Sequence, residues 1–459
     1  MRFSSAALLG LAPWQVVQSH AETLASQYTG ESAAAYQAAA QTLRWPYWDW
    51  AVSVESAALP PATTAPTFEI NTPTGPVTMR NPLYSYKFQN YPFQDPDFTS
   101  SILSNFNETK RSVDFSEDSD APNDFAAANQ ALQSNQPQLK DQVYSVFTQS
   151  PLFESMSSTA SRGPSFESPH NSVHTDIGGF NFSRVAHMQY VPWSSFDPLF
   201  WLHHTNVDRH FAMWQAIYYN NTMFNSTQNG RALFGTASGP IDASSPLKPF
   251  TKADGTFYSS RDVTSTRTFG YTYPGVNDWA LSPEDLSKQV IAQVNTLYGR
   301  QLKTTVAAAA KKRSIVRNRL RDFLKVPELK EYSAAVSVDR ANLHLPCTIE
   351  FYIADQKAGE FALLAMPTTG VGYSSVPLRR TLEELNFTPL DDPVTVVNML
   401  KKTLRVVVKE ADGSETPAAS IPSLVVEIED RSYTPPAAQD QFPKYGSITA
   451  HPVNVGDLS

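Results

Sequence analysis

Apolar residues recur at helical spacing through most of the first 330 positions of the chain. This pattern predicts a helix, a turn and a second helix over 15–43, and further helices over 138–150, 166–175, 197–219 and 282–328. Between about 57 and 125 the chain is rich in Pro, Ser, Thr and Asn without sustained periodicity. Such a stretch predicts long irregular loops over a helical core, so the first part of the chain is expected to be mainly α.

After about residue 331 the pattern changes to alternating, β-branched runs separated by turn residues. These runs lie at 334–338, 348–353, 404–408 and 424–428. They predict an antiparallel β sandwich or barrel. We therefore expect a helical domain over 1–285, a helical linker over 286–330, a β domain over 331–430 and an irregular tail over 431–459.

The net charge and the hydropathy of the chain limit the kinds of partner that it is expected to bind. The 459 residues carry a net charge of −8, with 41% hydrophobic and 17% charged residues, as in an ordinary folded protein. The basic segment from Lys311 to Arg321 alternates with apolar residues at helical spacing, which favours a solvated helix face over a binding surface. Nucleic acid is therefore not expected as a partner. A membrane is not expected either, because no apolar stretch approaches the ~20 residues of a spanning helix.

Cysteine usage bears on the compartment. Cys347 is the single cysteine, so no intrachain disulfide can form, and this fits a reducing compartment. The segment from Met1 to Ala21 has a short apolar run like that of a signal peptide, but Pro13 closes the run early. Five Asn-x-Ser/Thr sequons would matter only in a secreted chain. The single cysteine and the weak signal-peptide features together favour an intracellular location.

Three histidines have the spacing of metal ligands. His170 and His174 are four residues apart, which places both imidazoles on one face of a helix, and Pro169 suits a helix start. His204 lies on the next predicted helix, with Phe200 four residues before it and Asp208 four residues after it. Phe200 is positioned to stack on the His204 ring, and Asp208 to accept its ring N–H.

Spacing alone leaves two interpretations of these histidines. One is a metal site, and the other is a set of structural histidines on buried helix faces. Imidazole ligation without cysteine narrows the metal to copper, zinc or iron.

The stretch from Glu167 to Gln215 resembles the second copper site (CuB) of tyrosinases and catechol oxidases, especially those of filamentous fungi. The family pattern is His-Asn-x-x-x-His on one helix and Asp-Pro-x-Phe-x-x-His-His-x-Asn-x-Asp-Arg on the next, and every fixed position is matched here. By this resemblance His170, His174 and His204 are the copper ligands, and His203 is a neighbour rather than a ligand.

The resemblance also implies roles for other residues. Glu167 matches the carboxylate that holds a water near the site, and Asn171 the residue that orients this water to deprotonate phenols. Val191 falls where the family places its substrate gate. The implied function is oxidation of monophenols and o-diphenols to o-quinones with O2, in melanin or secondary metabolism.

Two further elements and the β region extend the resemblance over roughly residues 15–430. The block 44–50 is similar to the family's Arg-x-Pro-Tyr-Trp-Asp-Trp block, and 271–274 to the Tyr-x-Tyr element that closes its central domain. The β region from 331 resembles the C-terminal domain that shields the active site in latent enzymes.

The sequence departs from the family at the first copper site (CuA). Type 3 copper chemistry needs two coppers, each held by three histidines, yet His20 is the only histidine upstream of Tyr47. Two explanations remain: an incomplete chain whose parent has CuA upstream, or a relative that lost CuA and binds one copper or none. Under either one we expect little oxidation of phenols by these 459 residues.

Other classes of function stay open at the level of sequence. An oxygen carrier like molluscan haemocyanin shares this copper site beside a β domain, but the short chain and the fungal-type motif argue against it. A zinc-binding structural module could use the same three histidines.

Overall fold

We describe the fold from a computed structural model, which covers residues 12–90, 92, 103–114, 120–179, 184–221, 227–230, 238–299, 329–454 and 456. Its helices are α1 Ala12–Ala25, α2 Ala33–Thr42, α3 Val54–Ala57, α4 Phe125–Gln149, α5 Phe153–Ser157, α6 Glu167–Asp176, α7 Val191–Ser194, α8 Pro198–Ile217, α9 Pro283–Leu297, α10 Arg379–Glu384 and α11 Pro393–Thr403. No helix among these is both long and apolar enough to cross a bilayer.

The strands fall into two groups along the chain. The first group forms two-stranded ribbons: β1 Thr67–Thr72 with β2 Gly75–Arg80, β3 Val113–Asp114 with β4 Arg184–Val185, β5 Gln228–Gly230 with β6 Gly239–Ile241, and β7 Pro246–Thr251 with β8 Phe257–Ser259. The second group is β9 Leu329–Asp339, β10 Cys347–Ile353, β11 Gln356–Leu363, β12 Val371–Pro377, β13 Leu404–Glu410, β14 Glu415–Pro417, β15 Val425–Thr434, β16 Lys444–Tyr445 and β17 Thr449–Val453.

The chain divides into two compact units that are not continuous in sequence. The first unit comprises 1–136, 151–158 and 173–287, and the second comprises 137–150, 159–172 and 288–459. Three of the five boundaries fall inside helices, namely α4, α6 and α9.

In the first unit α8 is the central helix, buried along almost its whole length. Asp197 caps its first turn by accepting a hydrogen bond from the Leu199 N–H at 2.9 Å. The same carboxylate is held by Arg111, whose Nη2 lies 2.6 Å from Asp197 Oδ1. Both side chains are excluded from water, at 1% and 0% exposure. This ion pair fixes the start of α8.

The aromatic block of residues 44–50 contacts α8 beyond its first turn, at Leu202 and Arg209. The Trp48 N–H donates to the Leu202 carbonyl at 3.2 Å, and Arg209 forms an ion pair with Asp49 at 2.9 Å. The guanidinium of Arg209 also lies 4.7 Å from the ring centroid of Tyr47. The block therefore sets the rotation of the helix that carries His203 and His204.

The second unit contains two antiparallel sheets that share one apolar core. One sheet has the order β11-β10-β13-β14, and the other the order β12-β9-β15-β16, with β17 also paired to β15. Alternate residues of β9 are buried, and they contribute to the same core cluster as Ile349 and Phe351 of β10. The predicted fold class, a mainly α part followed by an antiparallel β sandwich or barrel, is confirmed.

The structure corrects two expectations about irregular segments. The hairpin of β1 and β2 lies inside the stretch that we expected to be loop, and β16 and β17 lie inside the tail that we expected to be irregular. Residues 1–11 of the signal-like start lie outside the described residues. So do residues 300–328, which include the basic segment and the rest of the long predicted helix.

Candidate metal centre

Helix α6 presents His170 and His174 one turn apart, and both are buried. The helix ends at Gly178 and Gly179, the latter with φ of +81°. A Cβ at Gly178 would lie 1.9 Å from the side-chain amide of Gln189, so glycine leaves room for that amide to bond the Thr175 carbonyl and the Ala186 N–H. This close approach brings the Met188 carbonyl to the His174 ring.

Helix α8 presents His203 and His204, both with no exposed surface. Phe200, one turn earlier, stacks on the His204 imidazole with ring centroids 3.9 Å apart and an interplanar angle of 21°. The stacking predicted from the spacing is therefore present, and it holds the plane of the His204 ring.

His170, His174, His203 and His204 each offer a ring nitrogen, and these atoms all lie within 4.8 Å of one another. The His174 and His204 Nε2 atoms are only 3.3 Å apart, and the ring centroids of His174 and His203 are 4.8 Å apart. Among the residues that the structure describes, this is the one group of three or more His, Cys, Asp or Glu side chains with metal-ligand geometry.

Hydrogen bonds select the tautomer of two of these rings. His174 Nδ1 lies 2.7 Å from the Met188 carbonyl oxygen, and His170 Nδ1 lies 2.9 Å from Asn171 Oδ1. Both partners are acceptors, so each Nδ1 carries the proton and each Nε2 presents its lone pair. This is the tautomer that metal ligation through Nε2 requires.

The donor set fits a borderline-soft metal ion. Burial lowers the pKa of His170 to about 4, although its hydrogen bond with Asn171 acts in the opposite direction, so the ring is neutral near pH 7. The group contains imidazoles and no thiolate or carboxylate. Neutral imidazoles suit copper, zinc and iron, and they do not suit calcium or magnesium.

Glu167 and Asn171 belong to the second unit and form hydrogen bonds within it. Glu167 Oε2 accepts from the Thr159 N–H at 2.8 Å and from its hydroxyl at 3.2 Å, and Arg340 donates to that same hydroxyl at 2.8 Å. The Asn171 amide donates to the carbonyl of Ala362 in β11 at 3.3 Å. The structure thus brings both predicted catalytic residues onto the helix turn that holds His170, and it anchors them to the β sheets.

Asp208 does not make the expected hydrogen bond with His204. Its Oδ2 instead accepts from the hydroxyls of Tyr271 and Tyr273, both at 2.6 Å. Two phenols provide stronger donors to a buried carboxylate than one neutral imidazole, and they approach from the segment 271–274. Asp208 is thus a partner of the Tyr-x-Tyr element, a contact that sequence reasoning missed.

Replacement of Asp208 with Asn is expected to change the pH dependence of stability. Burial raises the pKa of Asp208 from 3.8 to about 6, although the two tyrosine hydroxyls act in the opposite direction. The folded state therefore binds this proton more tightly than the unfolded state does. The free energy of unfolding consequently falls as pH rises from about 4 to 6, by about 3 kcal/mol from this group.

Urea unfolding of wild type and Asp208→Asn between pH 4 and 7 measures this effect. The variant should gain stability relative to wild type as pH rises through that window, whereas the exposed-site control Asp355→Asn should run parallel to wild type. A constant difference between wild type and Asp208→Asn across the window would contradict the expectation.

The remaining candidates are placed as follows. Val191 is the half-buried first residue of α7, and its role as a gate stays a prediction. His203 lies in the four-histidine group, next to His204, and its expected role as a neighbour rather than a ligand stays a prediction.

The other five histidines lie outside this group. His187 Nδ1 accepts from the Lys110 N–H at 2.9 Å, and His210 packs edge-on against Trp50. Burial lowers the pKa of His187 to about 4 and that of His210 to about 3, so both are neutral structural residues, as expected. The other three are His20, exposed on α1, His344, bonded to Glu410, and His451, bonded to Asp430.

Two helices that present buried imidazoles to one another, followed by an antiparallel β domain, form an arrangement that fits a histidine-ligated metal site. The sequence model for the common central domain of tyrosinase matches residues 22–217, and that for the tyrosinase C-terminal domain matches residues 331–428. The chain belongs to the tyrosinase family.

Individual relatives agree with this assignment. The chain is 30% identical over 325 residues to a tyrosinase of Podospora anserina, covering 64% of this chain and 52% of the relative. It is 28% identical over 287 residues to polyphenol oxidase 2 of Agaricus bisporus, covering 60% and 49%. The chain thus spans about half the length of these curated relatives.

A solved structure supports the fold. Recombinant mushroom tyrosinase superimposes with a TM-score of 0.78 at 24% identity, over 95% of this chain and 80% of that one. At this identity the likeness concerns the fold alone.

Proposed function

We propose that this chain is a copper oxidoreductase of the tyrosinase type, in which His170, His174 and His204 hold a copper ion of CuB character. The observation that carries the proposal is the buried group of imidazole nitrogens within 4.8 Å of one another. The ligand-ready tautomers of His170 and His174 support it. The names of the relatives, tyrosinase and polyphenol oxidase, support a phenol as the substrate class, and we infer that this phenol is oxidised with O2 to an o-quinone.

Copper, when bound, would supply the oxygen-dependent redox chemistry, and the chain's own residues would prepare the site. Asn171 fixes the His170 ring, and Phe200 fixes that of His204. Phe200 and the half-buried Phe196 and Trp201 offer an apolar wall for a phenol ring. Glu167 and Asn171 would hold a water as general base toward the phenol hydroxyl, and Val191 would gate access.

A second candidate is a one-copper or metal-free relative that binds phenols without oxidising them efficiently. The observation that favours it is the single ligand group among the described residues, since the family chemistry uses two groups of three histidines. We propose on this ground that the 459-residue chain binds one copper and oxidises phenols slowly or not at all.

Copper-to-protein stoichiometry and quinone formation together test both candidates. The purified chain is loaded with copper, freed of excess metal, analysed for bound metals and assayed with a monophenol and a catechol. About one copper per chain with negligible quinone would support the one-copper relative. Two coppers with rapid quinone formation would establish the oxidase and exclude impairment, and zinc without copper would overturn both in favour of a structural module.

Replacement of Asn171 with Ala is expected to weaken copper binding about 10–100-fold. The reason is that the His170 ring, once it loses its hydrogen-bond acceptor, is free to rotate and to change tautomer. The change removes the acceptor for His170 Nδ1 and the bond to the Ala362 carbonyl. Competition with a chelator of known affinity measures the effect. Asn342→Ala, at an exposed turn, is the matched control, and equal affinities for the two variants would contradict the role of Asn171.

A further inference from the structure

The second unit contains a cavity of about 100 Å³ that does not include any of the four histidines. Three tyrosines from three different elements form its aromatic walls: Tyr144 of α4, Tyr433 of β15 and Tyr445 of β16. The exposed residues Pro436 and Gln439 line its rim, so a ligand larger than the cavity can extend into solvent. The cavity therefore offers flat apolar faces at the protein surface.

Contacts within the unit hold these walls in place. The Tyr144 hydroxyl donates to Asn295 Oδ1 at 2.8 Å, and the Asn295 amide donates to the Gln439 carbonyl at 2.7 Å. The ring centroids of Tyr433 and Tyr445 lie 5.8 Å apart. The walls are thus formed before a ligand arrives, which lowers the entropy cost of binding one.

Polar groups that donate and polar groups that accept lie among these aromatic faces. Arg379 supplies N–H donors, and Asp141 and Glu331 supply carboxylate acceptors. Ser145 also lines the cavity and is only 8% exposed. Its hydroxyl forms no hydrogen bond with the part of the chain that the structure describes. Since a hydroxyl both donates and accepts, this buried group favours a ligand that does the same.

The charges that line the cavity argue against an ionic ligand. An anion would meet the carboxylates of Asp141 and Glu331, and a cation would meet the guanidinium of Arg379. Arg379 is already paired with Glu383, at 3.0 Å from Nε to Oε1. A purely apolar ligand would leave the Ser145 hydroxyl without a hydrogen bond. The remaining class of ligand is neutral, rich in hydroxyls and apolar on one face.

We propose that this cavity binds a neutral saccharide through one pyranose ring. The C–H face of such a ring is apolar and packs on aromatic side chains, while its hydroxyls donate and accept hydrogen bonds. The ring would lie against Tyr144 and Tyr433. Its hydroxyls would donate to Glu331 and accept from Arg379 and Ser145. The second unit would thus bind carbohydrate at a place separate from the histidine group.

Binding of glucose, mannose, galactose and N-acetylglucosamine to the intact, metal-free chain tests the proposal, by saturation-transfer difference NMR and isothermal titration. Metal-free protein makes the result independent of the proposed copper site. We expect saturable binding of at least one sugar, with a dissociation constant in the millimolar range, because a single ring makes few contacts. Cyclohexanol, a ring with one hydroxyl, should bind at least about ten-fold more weakly, because it forms fewer hydrogen bonds.

Two changes inside the cavity and two matched controls outside it locate the site. Tyr433→Ala removes an aromatic wall and should weaken binding of the tightest sugar about ten-fold. Ser145→Ala removes one hydroxyl and should weaken it about five-fold. Tyr219→Ala and Ser155→Ala should bind the sugar as wild type does, because neither residue lines the cavity. Circular dichroism confirms the fold of each variant, and Ser145→Ala alone decides if Tyr433→Ala does not fold.

Three results would each overturn the proposal. The first is that none of the four sugars binds saturably, and the second is that cyclohexanol binds as tightly as the best of them. The third is that the changes inside the cavity weaken sugar binding no more than Tyr219→Ala and Ser155→Ala do.

Discussion

Replacement of His174 with Ala is expected to abolish copper binding, with an affinity loss of more than about 100-fold. His174 is central to the group, since its Nε2 lies 3.3 Å from that of His204 and its ring packs against that of His203. Loss of a residue that only hydrogen-bonds to a metal ligand lowers metal affinity about 10–100-fold, so loss of the ligand itself should lower it further. Chelator competition on the purified variant measures the affinity.

The matched control is His344→Ala. His344 is exposed and bonded only at the surface to Glu410, so its removal should leave copper affinity unchanged. If His174→Ala binds copper as tightly as His344→Ala, the histidine group is not the copper site.

Replacement of Arg111 with Ala is expected to destabilise the fold by about 3–5 kcal/mol, because it leaves the charge of Asp197 buried without its partner. Arg111 contacts both carboxylate oxygens of Asp197 and also donates to the Thr63 and Leu83 carbonyls. The loss therefore weakens the N-terminal cap of α8 as well. Urea unfolding followed by tryptophan fluorescence measures the change.

Two variants make this expectation specific. Arg162→Ala removes a guanidinium that is 62% exposed and paired with Glu427 and Glu429, so it should cost at most about 1 kcal/mol. The double change Arg111→Met with Asp197→Asn should recover part of the loss, because it removes the unpaired charge. Equal destabilisation by Arg111→Ala and Arg162→Ala would refute the assigned importance of the buried pair.

The parts of the site that the sequence predicted are those set by local geometry. His170 and His174 share a helix face because they are four residues apart, and Phe200 stacks on His204 for the same reason. The change from helical to alternating periodicity near residue 331 likewise predicted the β domain.

The parts that sequence reasoning missed depend on the path of the chain in space. Asp208 finds its donors 63 and 65 residues further along, and Arg111 finds Asp197 86 residues away. No spacing rule reaches such distances, so a rule based on helix turns assigned Asp208 to the nearest ring instead.

Strands β16 and β17 were not predicted from the sequence for a different reason. β17 is exposed along most of its length and lacks an alternating apolar pattern, so its side chains carry little signal. It forms because β15 presents backbone groups for pairing from Val426 to Asp430. Hydrogen bonding along an existing strand, rather than side-chain burial, defines this part of the fold.

The hydrogen bond from Asn171 to the Ala362 carbonyl has a practical consequence for experiments with truncated versions of the protein. The second unit includes 159–172 as well as the β sheets, so a stop codon placed just before residue 329 would split a single packed body. Such a recombinant fragment would expose Ser168, which bonds Ser374 at 2.9 Å, together with the amide of Asn171. Water would then compete for the Asn171 amide, which orients the His170 ring. Metal affinities measured on the fragment would therefore underestimate those of the intact chain.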